Sequence, residues 1–284
     1  IAGSLSLHYP GMAPMLGRIP RNPTPVNRSS SMASHTVHIV GSDRRLEVSE
    51  EETILEAALR EGVMLPYSCK NGTCGSCKGR LLEGDVAYPF HPPLALDAAE
   101  RADGDILLCQ ASPRSDLAVE AREIEAVRDI PVLKVPARVA EKERLADNVM
   151  RLVLRLPRAQ RLQFLAGQYV DILLAGGKRR AFSIASPPSR EQEIELHVRH
   201  VDGGDFTGWV FDDMKLKDIL RLEGPLGTFF VRHDQPDRPM IMMAGGTGFA
   251  PLKSMVEDLL AHGDTRPIHR SEEHTSELQS LLII

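Results

Sequence analysis

Four cysteines constrain this chain more than any other feature of its sequence. Three of them lie in the stretch 66–80, PYSCKNGTCGSCKGR, with the spacing C-x4-C-x2-C, and the fourth follows in ILLCQAS. The four residues are Cys69, Cys74, Cys77 and Cys109. Four thiolates at this spacing are typical of a plant-type [2Fe–2S] cluster. The small residues between them, such as Gly72 and Gly75, would let backbone amides approach the sulfides of the cluster.

Two other uses of the cysteines remain open at this point. Two disulfides would suit a secreted chain, but no apolar signal segment precedes the cysteines. A zinc site usually takes two short C-x2-C or C-x2-H pairs, whereas Cys109 stands alone. The cluster is therefore the favoured interpretation, and it leaves no cysteine over as a catalytic thiol.

The composition excludes several classes of partner. The chain has 284 residues, 42% hydrophobic and 26% charged, which leaves room for two or three domains. A formal net charge of −5 predicts that it binds neither nucleic acid nor an anionic membrane. No apolar run approaches the length that spans a bilayer. We therefore expect a soluble monomer in the cytoplasm, where thiols stay reduced.

The two ends of the chain differ from the rest. Residues 1–31 contain no Asp or Glu and are rich in Pro, Ser and Gly, which predicts a disordered leader, with translation starting at Met32. A transit peptide is the alternative for this segment. Residues 270–284 begin RSEEHTSELQS, which looks like the translation of a common short-read sequencing adapter. We therefore expect this segment to be an artefact and the natural protein to be represented only as far as about His269.

Residues 32–122 predict a small α+β domain around the cysteines. The alternating runs HTVHIV and RRLEV predict two strands joined by a turn, and GRLLEGDV, DILLCQAS and LAVEA predict three more. Between them, Ser49 as N-cap, Glu52 as its capping-box partner and Gly62 as stop predict a helix. Its buried stripe would be Leu55, Ala58 and Leu59. A second, short helix is expected over 96–102. This arrangement, with its cysteine pattern, resembles a β-grasp ferredoxin.

Two further domains are predicted downstream. Residues 131–234 contain several short alternating segments, which predict an antiparallel β-barrel. Residues 238–269 change in character: the apolar run MIMMAG leads into a glycine-rich turn and then the helical pattern LKSMVEDLL. Strand, glycine-rich turn and helix predict the first part of an α/β nucleotide-binding domain, with helix amides facing a pyrophosphate.

A short motif in the barrel resembles a known flavoprotein signature. The segment 180–186, RAFSIAS, is similar to the R-x-[YF]-S-x-x-[ST] motif of the ferredoxin–NADP reductase superfamily, although such a short match also fits an ordinary strand. The resemblance implies that Arg180 pairs with the flavin pyrophosphate, since a guanidinium fork suits phosphate oxygens. It also implies that Phe182 lies against the flavin and that the Ser183 hydroxyl hydrogen-bonds near flavin N5.

Other segments extend the resemblance. His197, Val198 and Arg199 correspond to a strand beside the cofactor phosphates. GGDFTGW resembles a G-x-x-[ST] turn, in which Gly204 and Thr207 would bind phosphate and Thr207 would cap a helix; a plain N-cap is the alternative reading. GPLG at 224–227 resembles the turn that closes the barrel. Five residues match the family's GGTG-x-AP nucleotide loop: Gly245, Gly246, Thr247, Gly248 and Pro251.

Taken together, residues 35–269 resemble bacterial electron-transfer reductases that fuse a ferredoxin to flavin and NAD(P)H domains. The resemblance includes oxygenase reductase components and CDP-6-deoxy-Δ3,4-glucoseen reductases. It implies a [2Fe–2S] cluster, FAD rather than FMN, NADH or NADPH as co-substrate, and an oxygenase or dehydratase component as acceptor. Ser183 and Thr247 would be the catalytic residues.

The sequence leaves two other functions open. One is a ferredoxin-type electron carrier or interaction module whose reductase half is inactive. The other concerns a chain that stops near His269: lacking the remaining strands, it would bind flavin and cluster but fail to use NAD(P)H. Neither the choice between NADH and NADPH nor the acceptor follows from the sequence.

Overall fold

The computed structural model describes residues 33–90, 93–190, 192–233 and 238–273. The predicted leader and most of the predicted adapter-derived tail lie outside these residues. Within them, none of the helices is both long and apolar enough to cross a lipid bilayer.

The N-terminal part of the described chain is a five-stranded sheet with one helix packed against it. The sheet has the order β2-β1-β7-β3-β5, and β1 runs parallel to β7 while the other neighbours are antiparallel. This is the predicted β-grasp arrangement. The elements are β1 (Ser34–Ile39), β2 (Arg44–Ser49), α1 (Ile54–Arg60), β3 (Lys78–Glu83), β4 (Val86–Ala87), α2 (Ala98–Ala102), β5 (Asp105–Leu107), β6 (Ser112–Pro113) and β7 (Leu117–Glu120).

The start of α1 corrects a sequence prediction. The N-cap is Thr53, not Ser49, and its capping-box partner is Glu56, not Glu52. Starting the helix there buries Ile54 together with Leu55 and Ala58, so packing against the sheet decides between two capping signals four residues apart. The predicted stripe is right for Leu55 and Ala58, while Leu59 is only partly buried.

The middle of the chain is the predicted antiparallel barrel. Six strands have the order β11-β10-β13-β8-β9-β12, and a bridge between Ile184 and Leu196 brings the two ends of the sheet together. A core of apolar residues from all six strands fills its interior. The elements are β8 (Leu133–Ala146), β9 (Val149–Arg155), β10 (Tyr169–Leu173), β11 (Arg179–Ser183), β12 (Glu193–Arg199), α3 (Asp205–Asp212) and β13 (Ile219–Leu226).

The segment 224–227 is not the turn that the sequence predicts. Gly224, Pro225 and Leu226 are the end of β13, and only Gly227 leaves the strand, with φ +88°. A Cβ at Gly227 would lie 2.8 Å from two ring atoms of Tyr169. Glycine is required at 227 because the backbone passes so close to that ring.

The C-terminal described segment begins as predicted. Strand β14 (Met240–Gly245) leads through a 3₁₀ turn (Gly246–Gly248) into α4 (Phe249–Ala261), and β15 (Ile268–Glu273) lies parallel to β14. Strand β15 thus continues into the segment 270–284 as far as Glu273. Helix α4 packs so closely on the barrel that the Met255 side chain would collide with a Cβ at Gly167.

Candidate functional site

The cysteine loop brings the four predicted ligands together. Cys77 and Cys109 are buried in the core beneath the sheet, Cys69 is half-buried and Cys74 is exposed, and all four are free thiols. Gly72 and Gly75 have φ of +79° and +74°, in the left-handed region that glycine adopts without strain.

The thiols lie in two pairs, Cys69 with Cys74 and Cys77 with Cys109. The hydrogen bond from Cys74 lowers the pKa of Cys69 to about 4, and the bond from Cys77 lowers the pKa of Cys109 to about 7. Two pairs suit a cluster of two irons, each bound by two thiolates. Among the described residues, no three His, Cys, Asp or Glu side chains are arranged around a single metal ion. The paired thiols therefore fit a [2Fe–2S] cluster.

Gln110 is a residue of this site that the sequence analysis did not single out. Its side chain is buried, 3% exposed, and its Nε2 donates to the Lys70 carbonyl at 3.1 Å and to the Cys109 carbonyl at 2.8 Å. The same nitrogen lies 3.8 Å from Cys109 Sγ. A Cβ at Gly72 would be 3.0 Å from its Cγ. Gln110 therefore ties the ligand loop to the fourth ligand and directs a donor toward its sulfur.

The predicted flavin residues lie on one strand of the barrel. In the pairing of β10 with β11, Tyr169 is opposite Ser183 and Ile172 is opposite Arg180. Arg180 is exposed, and the Phe182 ring packs on Phe206 with centroids 5.5 Å apart. Phe206 belongs to α3, so this contact between two rings joins β11 to the helix that follows the predicted phosphate turn.

The three residues of β12 that the resemblance places beside the cofactor phosphates, His197, Val198 and Arg199, differ in burial. Arg199 is exposed at the end of the strand, whereas Val198 is fully buried in the barrel core. Only the backbone of Val198 is thus available to a cofactor. His197 is 8% exposed, and its Nε2 is 2.8 Å from Glu195 Oε1.

Thr207 does not cap α3 as the sequence predicts. The N-cap is Gly204, with no side-chain capping bond, and Thr207 lies inside the first turn. Its hydroxyl turns back to the preceding loop, accepting from Val201 N at 3.1 Å. A Cβ at Gly204 would lie 2.6 Å from that hydroxyl, so the turn is too tight for another cap residue. First-turn amides without a side-chain cap fit a phosphate group.

The predicted nucleotide loop also precedes a helix whose N-terminus has no side-chain cap. Gly248 is the N-cap of α4 and makes no side-chain capping bond, and Pro251 lies in the first turn. A Cβ added at Gly246 or Gly248 would meet nothing within 4 Å. The helix N-terminus therefore faces open space, as a nucleotide pyrophosphate requires.

Helix α4 is docked directly after the flavin motif. Ser254 Oγ donates to the Ser186 carbonyl at 2.7 Å, and Lys253 Nζ donates to the Ala185 carbonyl at 3.2 Å. Both acceptors belong to the RAFSIAS segment. The barrel motif is thus in direct contact with the helix that follows the predicted nucleotide loop.

A buried carboxylate that the sequence analysis missed lies behind this junction. Glu195 is 3% exposed, and its oxygens lie 3.3 Å from Lys253 Nζ and 3.2 Å from Arg151 Nε. Burial raises the pKa of Glu195, but the His197 hydrogen bond and the charges of Lys253 and Arg151 outweigh it, and the result is about 2. In the sequence, Glu195 reads as an ordinary polar position of an alternating strand.

Two family models match the two sheets. The model described as "2Fe-2S iron-sulfur cluster binding domain" matches residues 37–114. The model described as "Oxidoreductase FAD-binding domain" matches residues 136–231. The chain thus combines a [2Fe–2S] domain with an FAD-binding domain, and the paired thiols and uncapped helix N-termini are consistent with both groups.

Individual proteins with known names share the same combination. The chain is 42% identical over 217 residues to a CDP-6-deoxy-L-threo-D-glycero-4-hexulose-3-dehydrase reductase of Yersinia pestis, covering 76% of this chain and 64% of the relative. It is 43% identical over 239 residues to the reductase component DmpP of phenol 2-monooxygenase from Pseudomonas sp. (strain CF600), covering 83% and 67%. The chain thus spans less than two thirds of the length of the dehydrase reductase.

Solved structures agree. The crystal structure of the Amycolatopsis cytochrome P450 reductase GcoB superposes with a TM-score of 0.65 at 36% identity, covering 87% of this chain and 75% of GcoB. The ferredoxin reductase in carbazole 1,9a-dioxygenase gives a TM-score of 0.58 at 27% identity, covering 86% and 76%.

Proposed function

The chain belongs to the family of reductases that join a [2Fe–2S] domain to an FAD-binding oxidoreductase domain, and we propose that it passes electrons from NAD(P)H to an acceptor protein. When bound, FAD and the cluster supply the change from two-electron to one-electron chemistry. The protein binds and orients them.

One observation carries this proposal: the RAFSIAS segment lies between helix α4 and Tyr169, whose hydroxyl contacts the cluster loop. Tyr169, opposite Ser183, places its hydroxyl 3.4 Å from the Ser68 carbonyl, next to Cys69. At the other end, Ala185 and Ser186 accept from α4. This series of contacts, from α4 through the flavin motif to the cluster loop, supports a transfer of electrons in that order.

The proposed roles follow from these positions. Arg180, exposed on β11, binds the flavin pyrophosphate, and the first turn of α3, with Gly204 and Thr207, binds a phosphate. Phe182 packs against the flavin, and Ser183 donates a hydrogen bond near N5. Arg199 and the backbone beside Val198 line the same face, whereas the His197 ring supports it through Glu195.

The nucleotide and the cysteine loops complete the set. The GGTG loop and Pro251 hold the NADH or NADPH, with Thr247 beside the nicotinamide. The four cysteines hold the cluster, and the exposed Cys74 marks the side from which electrons leave. The acceptor is an oxygenase or dehydratase component, as the names of the relatives suggest.

We also propose the domain limits 32–122, 131–234 and 238–269. The first two enclose the five-stranded sheet and the barrel, and the third encloses β14 and α4. We propose a monomer that works in the cytoplasm, because four ligand thiols need a reducing compartment.

The test is anaerobic reduction of the full chain reconstituted with FAD, iron and sulfide. Stopped-flow absorbance would follow the flavin after mixing with NADH or with NADPH, and electron paramagnetic resonance would follow the cluster. We expect one nucleotide to bleach the flavin and the cluster signal to follow. In Cys109→Ser the flavin should still bleach, without any cluster signal.

The competing function predicts a different result. If dithionite reduces the bound cluster but neither nucleotide bleaches the flavin, the reductase proposal is wrong for this chain, and it is either a ferredoxin-type carrier or interaction module or a chain that binds flavin without using NAD(P)H.

A further inference from the structure

Tyr67 and Thr228 join the cluster domain to the barrel by an exchange of three hydrogen bonds. Tyr67 N donates to Thr228 Oγ1 at 2.9 Å. In return, Thr228 Oγ1 donates to the Tyr67 carbonyl at 3.0 Å and Thr228 N donates to it at 3.3 Å. The Thr228 hydroxyl thus takes part in two of the three bonds.

The junction is buried. Tyr67 is 1% exposed and Thr228 is 7% exposed. The phenol of Tyr67 adds a fourth bond, since its oxygen accepts from Gly227 N at 2.9 Å. Burying a polar group without a hydrogen-bond partner costs free energy. These four bonds therefore fix the position of the segment at Tyr67 relative to the segment 227–228.

The junction lies where the two redox sites come closest in the chain. Tyr67 is two residues before the ligand Cys69, and between them the Ser68 carbonyl accepts from Tyr169 at 3.4 Å. Tyr169 pairs with Ser183 across β10 and β11. Gln168, beside Tyr169, donates to the Gly227 carbonyl at 2.8 Å, so both sides of the junction are held to the same strand.

A separate contact keeps the two domains together. Ile124, Val127 and Phe230 form an apolar cluster against which Met64 packs. Loss of the Thr228 hydroxyl would therefore leave the domains associated and affect mainly the cluster loop. The two functions of the interface, association and alignment, are carried by different residues.

We propose that Thr228 and Tyr67 are positioning residues that hold the cluster loop in one place against the flavin face of the barrel. The inference rests on the proposed function, in which a hydride from NAD(P)H supplies two electrons. Each transfer between the two groups then moves one electron, so that the flavin loses one and the cluster gains one. The junction fixes the separation across which this electron moves.

The test compares four variants of the full reconstituted chain. Thr228→Val removes the hydroxyl at nearly constant volume, Thr228→Ser restores it, and Tyr67→Phe removes only the phenol bond. Thr36→Val is the matched control, because it makes the same change on strand β1, where the Thr36 hydroxyl donates to the Glu47 carboxylate. Hydrogen exchange of the peptides covering 66–69 and 226–229 measures the junction itself.

A second readout measures the alignment. The flavin is reduced by light and a sacrificial donor, without NAD(P)H, and the cluster signal is followed in time. In Thr228→Val we expect faster exchange at 66–69 and a severalfold slower electron transfer, since the rate of electron transfer falls steeply as the separation of the two groups grows. FAD and iron contents should not change, Tyr67→Phe should show a smaller effect, and Thr228→Ser should be close to the unmodified chain.

The outcomes separate this inference from the proposed function. If Thr228→Val transfers electrons as fast as Thr36→Val, the junction does not position the cluster and the inference is overturned. If NADH and NADPH both fail to reduce the flavin, the proposed function fails, but the light-driven measurement still decides the role of Thr228.

Discussion

Lys253 Nζ lies 3.3 Å from the buried carboxylate of Glu195, so the helix of the nucleotide segment is held to the barrel by a desolvated ion pair. Arg151 lies on the opposite side of the same carboxylate, at 3.2 Å. A buried charge loses its hydration, and without Glu195 its two cations would keep only more exposed partners, Glu257 for Lys253 and Glu141 with Glu143 for Arg151. The stability of the barrel and the packing of α4 against it therefore depend on the ionisation of Glu195.

Replacing Glu195 by Gln should destabilise the chain by roughly 3 kcal/mol at neutral pH, because Lys253 and Arg151 lose their buried counter-charge. Urea unfolding followed by the fluorescence of Trp209, the single tryptophan, would measure this. Glu193→Gln on the same strand is the control, since its partner Arg155 is half exposed and such pairs contribute less than about 1 kcal/mol. Equal losses in the two variants would contradict the argument.

The same residue sets a dependence on pH. The pKa of Glu195 is lowered from 4.5 to about 2, so its contribution to the free energy of unfolding is complete above about pH 4.5. It is lost as the pH falls through about 2. Between these values the unmodified chain should lose stability more steeply than Glu195→Gln. Parallel stability curves for the two proteins in this range would show that the carboxylate is not preferentially ionised in the folded state.

The paired thiols predict that all four cysteines are needed for one cluster. Serine at Cys77 or Cys109 should lower the iron content from about two per chain to nearly none, because one iron loses a ligand and the two irons are held as a single cluster. FAD content should stay the same, since the barrel holds none of the cysteines. Ser76→Ala is the control: Ser76 Oγ lies 3.4 Å from Cys74 Sγ but is not a ligand. One zinc per chain in the unmodified protein, without iron, would contradict the cluster.

Gln110 should affect the cluster without being a ligand. In Gln110→Leu the Lys70 carbonyl and the Cys109 sulfur lose a common donor, and loss of such a supporting bond typically weakens a metal site by about tenfold or more. We expect faster loss of iron to a chelator and a lower reduction potential of the remaining cluster, because a hydrogen bond to sulfur favours the reduced state. Gln160→Leu, on the exposed surface of the barrel, should change neither quantity. An unchanged reduction potential of the cluster in Gln110→Leu would show that the Gln110 side chain contributes only packing and not a hydrogen bond to the sulfur.

The sequence indicates the ligands and the cofactor motifs through residue types at short, fixed spacings. Spacing identified the four cysteines, but only the structure shows which thiols form pairs. The start of α1 was misplaced because Ser49 and Thr53 both have a glutamate three residues on, and burial of Ile54 decides between them. Thr is favoured at the N-cap of a helix, which is why the sequence predicts Thr207 as the cap of α3. The structure has Gly204 as the N-cap instead, because the turn there is too tight for a side chain.

Contacts between distant segments were beyond the reach of the sequence. In the sequence, Glu195 has the pattern of a solvent-facing strand residue. Only the structure shows that Lys253 of α4 packs against it. Thr228 likewise follows the GPLG segment with no signal of its own, and its partner Tyr67 is an ordinary buried aromatic residue in sequence. Such pairs depend on how the three sheets are packed, which no local periodicity encodes.

Gly248 gives a test of the nucleotide site that leaves the fold intact. Its backbone is in the right-handed helical region, with φ −59° and ψ −15°, and a Cβ there would meet nothing within 4 Å. A valine side chain is therefore tolerated by the protein but projects into the space before the α4 N-terminus. We expect Gly248→Val to raise the Kd for the nicotinamide nucleotide by about tenfold or more, since the amides of the first turn can no longer approach the pyrophosphate. Flavin reduction by light should be unchanged, and Ala261→Val at the other end of the helix is the control. Because the substitution acts only through the space in front of the helix, nucleotide binding as tight as in the control would show that the pyrophosphate binds elsewhere.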